Sequence, residues 1–144
     1  MSAEENKANA RRLYEEVWNK GNVAALNELM SPGVVAHQLP RPVPSGISGF
    51  KLYVKAYRVV FPDAHFTIDD VIAEGDKVAV RWTTTGTYKG RLPFLPALHP
   101  TGKKVTLRGL TFLRYSAAGK IAECWANTDP VGLMQQVGTI PLPA

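Results

Sequence analysis

Apolar positions in the first sixty residues recur at the period of a helix. Ser2 and Glu5 have the spacing of a capping box, in which a serine caps a helix and a glutamate follows three residues later. Behind them a single apolar stripe, three and four positions apart, is formed by Ala10, Leu13, Tyr14, Val17 and Trp18. The spacing predicts one helix that ends at the polar run 19–22.

Two further helices and a short strand follow. Asn22 is a candidate N-cap for a short helix that buries residues 26, 29 and 30, and the Ser-Pro-Gly at 31–33 is expected to end it. Residues 34–39 are a strand candidate, and 40–49 form a loop rich in proline and glycine. A second stripe then predicts a longer helix, with Phe50, Tyr53, Val54, Tyr57 and Phe61 on one face.

From residue 65 the period changes to two, which is typical of strands. Runs at 65–74, 77–88, 103–115 and 121–128 are rich in β-branched and aromatic residues, and an apolar, proline-rich loop occupies 89–102. Gly86, inside the second run, indicates a bulge or a sharp bend. Helices followed by a meander of long strands predict an α+β fold, in which the helices pack on a strongly bent, mostly antiparallel sheet around a tapered cavity.

Composition and charge narrow the classes of function. The 144 residues fit a single domain, 1–144, with a short tail at 139–144. The net charge of +5 comes from scattered basic residues, so we expect no nucleic-acid partner. One cysteine, Cys124, excludes an intrachain disulfide. No secretory signal and no long apolar run is visible, so we expect a soluble cytoplasmic protein without membrane partners.

The stretch 120–138 carries the most specific chemistry. Trp125, Asn127 and Asp129 are two residues apart, so alternation predicts that they share one face of the last strand. The chain then breaks at Asp129-Pro130 into a helical segment that ends at Gly138. If the shared face lines the cavity, an aromatic ring, an amide and a carboxylate stand side by side there.

Three long segments of the sequence resemble the SnoaL-like polyketide cyclases of the nuclear-transport-factor-2-like superfamily. They are NKANARRLYEEVWNKGNVAALNELMSPGVVAHQ at 6–38, FPDAHFTIDDVIAEGDKVAVRWTTTGTYKG at 61–90, and PTGKKVTLRGLTFLRYSAAGKIAECWANTDPVGLMQQVG at 100–138. The resemblance implies a cone-shaped α+β barrel with a ligand cavity inside, commonly a homodimer through the outer sheet face. It also implies catalysis without a metal or other cofactor.

The resemblance matches Asp129, in the segment Glu123-x-Trp125-x-x-x-Asp129, to the acid/base aspartate of characterised cyclases, which promotes an intramolecular aldol closure. The residues themselves leave another interpretation open, because Asp before Pro and a helical stretch is typical of an N-cap. Burial against Trp125 would raise the pKa of Asp129, whereas the helix N-terminus would lower it. The sequence therefore leaves Asp129 as a catalyst, a ligand-positioning group or a cap.

The other candidates are histidine and aromatic residues. His37 alternates with residues 35 and 39 and could polarise a carbonyl or share a proton, or else be a satisfied core residue. His99 could reach the pocket mouth if the loop 89–102 folds over it. A tyrosine hydroxyl in the cavity could donate to a developing oxyanion. Besides His37 and Asp129, the predicted site contains Tyr14, Trp18, Tyr53, Tyr57, Trp82, Trp125 and Asn127. No spacing fits a metal site, and none is predicted.

Three interpretations of function remain. The first is a cofactor-free polyketide or ester cyclase-type enzyme that cyclises or isomerises a small apolar carbonyl compound, with Asp129 as acid/base group. The second is a non-catalytic module that binds a small hydrophobic molecule. The third, an epoxide-hydrolase-like enzyme, needs two acids and an arginine in the cavity. Alternation puts Arg81 opposite in phase to Trp82, so an inward Trp82 would leave Arg81 outside.

Overall fold

The computed structural model describes residues 2–39, 44–89 and 101–138, and within them the fold is α+β, as predicted. The α-helices of this part are α1 (Ala3–Arg12), α2 (Leu26–Leu29), α3 (Gly46–Val60) and α4 (Pro130–Val137). The strands are β1 (Met30–Ala36), β2 (His65–Glu74), β3 (Lys77–Thr87), β4 (Lys104–Tyr115) and β5 (Ile121–Asn127). No helix in the three described ranges is long and apolar enough to cross a membrane.

The five strands form one curved sheet in the order β1-β5-β4-β3-β2. Strands β2 to β5 are an antiparallel meander, and β1 pairs with β5 in parallel, so the mostly antiparallel prediction is confirmed. The sheet is not a closed barrel, because β1 and β2 remain its two edges in the described residues. The curvature makes its inner face concave. On that face α1 covers β2 and β3, and α3 packs on β1.

The N-terminal helix is α-helical first and π-helical afterwards. The serine cap of the predicted capping box is confirmed at its start, where Ser2 Oγ accepts a hydrogen bond from the Glu5 N–H at 3.1 Å. At Leu13–Trp18 the backbone widens into a π-helical segment, and the Asn19 N–H bonds to the Tyr14 carbonyl five residues back at 2.9 Å. Widened turns of this kind are rare and frequently lie at functional sites.

The boundaries around β1 differ from the prediction. The strand begins at Met30 and includes 31–33, which were expected to end a helix. Pro32 is compatible with this strand because β1 is an edge, where a missing N–H need not break the ladder. Asn22 makes no side-chain capping bond, since a 3₁₀ turn at Val23–Ala25 uses backbone carbonyls instead.

Gly86 makes no bulge in the ladder between β3 and β4, because it pairs with Val105 without a shift of register. The irregularity lies in β2, between Ile68 and Asp70. Gly86 provides room instead: a Cβ there would lie 3.1 Å from the Cβ of Phe61, which follows α3. The glycine therefore allows the end of α3 to approach the sheet closely.

Alternation along the central strands separates the two faces of the sheet. On β4, Leu107 and Leu113 point toward the helices and are buried, whereas Leu110 and Phe112 are 60% and 42% exposed on the outer face. On β3, Trp82 is buried and Arg81 is exposed, where it bonds to a carboxylate of β2. The predicted opposite phase of Trp82 and Arg81 is confirmed.

Helix α4 lies against the part of β4 that β5 does not reach. The ladder between β4 and β5 begins at Leu110, so residues 104–109 have no partner from β5. The Gln136 side chain takes that place, since it accepts from the Thr106 N–H at 2.8 Å and donates to the Thr106 carbonyl at 2.9 Å. These two bonds hold α4 at the end of the hollow that the helices and the sheet enclose.

Candidate functional site

A cavity of about 270 Å³ lies between the helices and the inner face of the sheet. The size suits a small molecule. Eight of the described residues in its lining are aromatic, and they come from the π-helical segment, from α3 and its end, and from β2 and β3: Tyr14, Trp18, Phe50, Tyr53, Tyr57, Phe61, Phe66 and Trp82.

Trp18 is the centre of this aromatic wall. Its ring centroid lies 5.3 to 6.0 Å from four other rings, those of Phe50, Tyr53, Tyr57 and Phe66. Three of the contacts are edge-to-face, an arrangement that aromatic pairs favour. The Trp18 carbonyl accepts a bond from the Arg58 guanidinium at 2.7 Å. The wall is therefore held in one packed arrangement.

A hydrogen-bonded group interrupts the apolar lining at one point. Thr111, on β4, accepts a bond from the Tyr14 hydroxyl at 2.6 Å and a bond from the Trp82 indole N–H at 2.9 Å. All three residues line the cavity and are buried. Three elements of the fold, the π-helical segment, β3 and β4, thus place polar atoms at the same spot.

The phenols and the thiol of the cavity stay protonated at neutral pH. Burial raises the pKa of Tyr14, Tyr53 and Tyr57. Burial also raises the pKa of the Cys124 thiol to about 11, although the Gln38 amide, which donates to its sulfur at 3.4 Å, acts in the opposite direction. Each of these groups is therefore neutral at this pH, and the thiol is not an activated nucleophile.

On β5 the inward side chains are Cys124 and Ala126, both in the cavity lining. Trp125 points to the outer face, so the prediction that it shares a cavity face with Asn127 and Asp129 is wrong. The reason is a shift of register: β4 pairs Tyr115 with Ile121 but Arg114 with Glu123, so the inward phase changes after Ile121.

Asn127 does line the cavity, together with Thr128. Asn127 is the last residue of β5, so strict alternation ends there. Thr128 donates through its hydroxyl to the Arg108 carbonyl at 3.0 Å, which fixes the exit of the strand. The pair forms a polar rim beside the first turn of α4.

His37 lies on the outer face of the sheet and not in the cavity. Its Nε2 is 2.6 Å from a carboxylate oxygen of Glu123, and its ring stacks on Trp125 with centroids 4.9 Å apart. Arg114 Nε donates to the same carboxylate at 3.1 Å. The bonds from His37 and then from Arg114 lower the pKa of Glu123. His37 and Asp129 therefore do not share a pocket.

Asp129 caps α4. Its carboxylate accepts the Gly132 N–H at 2.8 Å, and the side chain is exposed. Gly132 makes this possible, because a Cβ on it would lie 2.7 Å from Asp129 Cγ. Asp129 is not in the cavity lining, but its neighbours Thr128 and Pro130 are. The prediction that Asp129 is the N-cap of this helix is thus confirmed.

The sequence analysis did not select Thr111, Gln38 or Cys124 as site residues. For Thr111 a signal exists. The inward positions of β4 are 105, 107, 109, 111, 113 and 115, and Thr111 is the one non-aromatic polar side chain among them. A lone threonine in an apolar phase of a strand marks a place where a buried hydroxyl needs partners. Gln38 follows the end of β1 and carries no comparable pattern.

Some expectations concern parts outside the described residues. His99, most of the loop 89–102 and the tail 139–144 belong to these parts. Within 2–39, 44–89 and 101–138, no group of three His, Cys, Asp or Glu side chains is close enough together to hold a metal ion. The lining residues that the structure describes also include no Asp, Glu, His, Lys or Arg.

Comparison with solved structures gives several strong similarities. A proposed polyketide cyclase of Bacillus cereus is 29% identical, with a TM-score of 0.79 over 94% of this chain and 82% of that one. IdmH of Streptomyces antibioticus, also a proposed polyketide cyclase, is 30% identical, with a TM-score of 0.75 over 92% and 98%. TsrD of Streptomyces laurentii, 22% identical, shares the fold with a TM-score of 0.85 over 97% and 99%.

No curated protein sequence matches the chain. The family model of the SnoaL-like polyketide cyclases matches residues 8–137, which is nearly the whole chain and includes the π-helical segment, all five strands and α4. The chain therefore belongs to the SnoaL-like polyketide cyclase family.

Proposed function

We propose that this protein binds a small, mostly apolar carbonyl compound in its cavity and promotes an aldol-type ring closure or an isomerisation of it without a cofactor. The observation that carries the proposal is the aromatic cavity, whose described polar side-chain groups are hydroxyl, amide, indole N–H and thiol groups. Such a lining excludes water from an apolar substrate and leaves only hydrogen bonds to orient it. Membership of the cyclase family supplies the class of reaction.

The reaction needs a base beside an apolar substrate. A base removes a proton from a carbon next to a carbonyl, the resulting enolate carbon forms a bond to a second carbonyl carbon of the same molecule, and the new alkoxide oxygen takes up a proton. Among the described residues Asp129 is the one carboxylate whose two chain neighbours, Thr128 and Pro130, both line the cavity. We assign the base to Asp129, acting from the rim on a substrate carbon that the aromatic wall presents.

The test separates the cap from the base. Asparagine also caps helices, so Asp129→Asn should change the free energy of unfolding by less than about 0.5 kcal/mol, whereas Asp129→Ala should lose about 0.5–2 kcal/mol. If Asp129 is the base, both variants should lower turnover by about a hundredfold or more. The substrates are linear diketones, from heptane-2,6-dione to its aryl derivatives. Ring closure gives a cyclic hydroxyketone, and the enone that it forms by loss of water when samples are treated with alkali is followed by ultraviolet absorbance. Undiminished turnover in Asp129→Asn would remove Asp129 from the mechanism.

A second candidate function has its own support. None of the described lining residues is ionisable near neutral pH, and Asp129 is engaged as a cap. A module that only binds a small hydrophobic molecule needs no more than this. The outcome that favours it is tight binding of aryl ketones by the wild type together with no acceleration of ring closure for any diketone of the series.

The epoxide-hydrolase alternative receives no support from the described residues. It needs two acids and an arginine in the cavity, but Arg81 and Arg108 are both exposed on the outer face. The Arg81 guanidinium donates a hydrogen bond from Nη2 to Asp70 Oδ2 at 2.6 Å.

For the assembly we propose a homodimer through the outer sheet face. An outer apolar patch is formed there by Val35, Leu110, Phe112 and Trp125. Val35, Leu110 and Phe112 are 50%, 60% and 42% exposed in the single chain. Homodimer interfaces are rich in apolar and aromatic side chains of this kind. A second copy of the same face would cover the patch.

A further inference from the structure

Tyr14, Thr111 and Trp82 form a hydrogen-bonded group in the cavity wall. This group has three donor hydrogens, and only two of them are used in hydrogen bonds within the group. Thr111 Oγ1 accepts from Tyr14 at 2.6 Å and from the Trp82 indole at 2.9 Å. A hydroxyl oxygen has two lone pairs and one hydrogen. With both lone pairs occupied, the Thr111 hydroxyl can only donate. In the part of the chain that the structure describes, no residue accepts that hydrogen.

The reverse arrangement gives the same count. If Thr111 donates to Tyr14, the phenol hydrogen of Tyr14 is the one left over, because an indole N–H always donates. Either way, the Tyr14–Thr111 pair presents a single O–H donor beside the cavity that both residues line. The surplus is therefore a property of the three groups together and does not depend on where the hydrogens are placed.

The unused donor hydrogen of the Tyr14–Thr111 pair matters because the pair is buried. Tyr14, Thr111 and Trp82 are 3%, 5% and 7% exposed. A buried donor without an acceptor destabilises the protein unless a water molecule or a ligand accepts its hydrogen. Among the described residues the surroundings are apolar, with Phe66 against the Tyr14 and Trp82 rings at 5.7 and 5.1 Å, and no hydrogen bond from the surplus hydrogen to any of these residues is formed. The group is thus a preformed place for one acceptor atom.

We propose that the Tyr14–Thr111 pair, held by the Trp82 indole, anchors the acceptor oxygen of an uncharged ligand through one O–H···O hydrogen bond. The inference rests on the proposed function and narrows its substrate class to ketones, aldehydes and esters whose carbonyl lies at the buried end. Carboxylates are excluded, because the described lining has no cation to replace the hydration of a buried negative charge.

The same donor suits the chemical step. When an enolate carbon bonds to a carbonyl carbon, or when a proton leaves the carbon beside it, negative charge develops on the carbonyl oxygen. A fixed donor in a water-excluded site stabilises that charge without having to reorganise. Trp82 touches the donor and not the ligand oxygen, so its role is to position Thr111.

The first test compares three probes of one shape. They are 2-acetonaphthone, its hydrocarbon counterpart 2-isopropenylnaphthalene, in which a methylene replaces the carbonyl oxygen, and 2-naphthoate. Wild-type protein should bind the ketone about 2- to 13-fold more tightly than the hydrocarbon, the range expected for one net hydrogen bond, and should bind the naphthoate at least about tenfold more weakly than the ketone. Quenching of the fluorescence of Trp18 and Trp82 reports occupancy.

The second test removes the donor. Tyr14→Phe combined with Thr111→Val and Trp82→Phe eliminates both hydroxyls, either of which can supply the hydrogen, and also the indole N–H that the loss of Thr111 would release toward the cavity. This triple variant should lose the preference for the ketone, because the ketone oxygen then gives up its bonds to water without a replacement, and retained binding of the hydrocarbon shows that the cavity is intact. The matched control, Thr84→Val, removes a buried hydroxyl outside this lining and should keep the preference for the ketone.

A direct readout does not depend on any variant. The infrared C=O stretch of bound 2-acetonaphthone should lie below its position in dry cyclohexane, since a hydrogen bond to oxygen weakens that bond. An unshifted stretch, equal affinities of the wild type for ketone and hydrocarbon, or loss of the preference in Thr84→Val would each overturn the anchor. If neither uncharged probe binds the wild type, the proposed function fails and the anchor with it.

Discussion

The indole of Trp82 lies over Gly109, the residue that faces it across the ladder between β3 and β4. A Cβ on Gly109 would come within 2.7 Å of Trp82 Cε2 and closer still to the outer ring atoms, so only glycine leaves the indole in place. The pairing brings the indole N–H to Thr111, two residues farther along β4. Gly109 therefore shapes the cavity although it is not in the cavity lining.

Gly109→Ala should destabilise the protein by about 1–3 kcal/mol, because the added methyl overpacks the core against an aromatic ring. The displaced indole should also lose its bond to Thr111, so the tryptophan emission should shift and the affinity for aryl ketones should fall. Thermal unfolding and fluorescence check both effects. Gly33→Ala is the matched control, since a Cβ there meets nothing within 4 Å. An unchanged melting temperature in Gly109→Ala would contradict the packing described.

Substitutions of His37 and of its neighbour Gln38 should have different effects on ligand binding, because the two side chains lie on opposite faces of the sheet. His37→Asn should leave diketone turnover and ketone affinity within about twofold of wild type, since the His37 ring stacks on Trp125 on the outer face. Gln38→Leu should alter ketone affinity, because Gln38 lines the cavity. A large loss of turnover in His37→Asn, with the oligomeric state unchanged, would restore His37 as a catalytic residue.

The outer apolar patch predicts the effect of a charge on assembly. Phe112→Asp should convert the proposed homodimer to a monomer, because a charged residue is strongly disfavoured in an apolar interface core. Sedimentation measures the mass, and ketone binding should persist because Phe112 is absent from the cavity lining. Val59→Asp is the control, as Val59 is 67% exposed on α3 away from the sheet. A wild-type mass equal to one chain would refute the dimer.

Acid should weaken the fold partly through Asp63. Its carboxylate accepts the Thr87 N–H and the Thr87 hydroxyl, each at 2.7 Å, and these bonds lower the pKa of Asp63 from its ordinary 3.8. A lowered pKa in the folded state contributes stability that is full above the unfolded pKa and is lost as pH falls below it. The difference in melting temperature between wild type and Asp63→Asn should therefore be larger at neutral pH than below the ordinary pKa.

Thr87→Val provides the intermediate case for this prediction. It removes the hydroxyl donor but keeps the backbone N–H. The fall of its melting temperature with decreasing pH should therefore be intermediate between those of wild type and Asp63→Asn. A pH-independent difference between wild type and Asp63→Asn would show that the bonds do not act through the ionised carboxylate.

The architecture could be predicted from the sequence because it depends on periodicity. The stripes of α1 and α3 and the period-two runs of the strands follow from which residues must be buried, and these elements lie where the patterns indicate. The capping box at Ser2 and the cap at Asp129 also follow from local chemistry, because a cap concerns only a few consecutive residues.

The site was harder to predict. Which side chains of a strand point into the cavity depends on how that strand pairs with its neighbours, and the composition of the strand does not determine it. Alternation defines two faces of β5 but does not say which one is inward, and both faces carry apolar side chains. The register shift after Ile121 reverses the phase, so Cys124 faces the cavity and Trp125 does not. Thr111 acquires its importance only from Tyr14 and Trp82, which are 97 and 29 residues away along the chain.

The π-helical segment has a consequence for how this chain can vary in length. A π turn is equivalent to one residue inserted into an α-helix, and one α-helical residue corresponds to a rotation of about 100°. Deleting a single residue within Leu13–Trp18 would restore regular α-helical bonding but would turn Ala3–Arg12 by that angle relative to Trp18. Buried Asn6 and Ala10 would then leave the sheet. Indels should therefore be tolerated at the turn Ser116–Lys120 long before they are tolerated here.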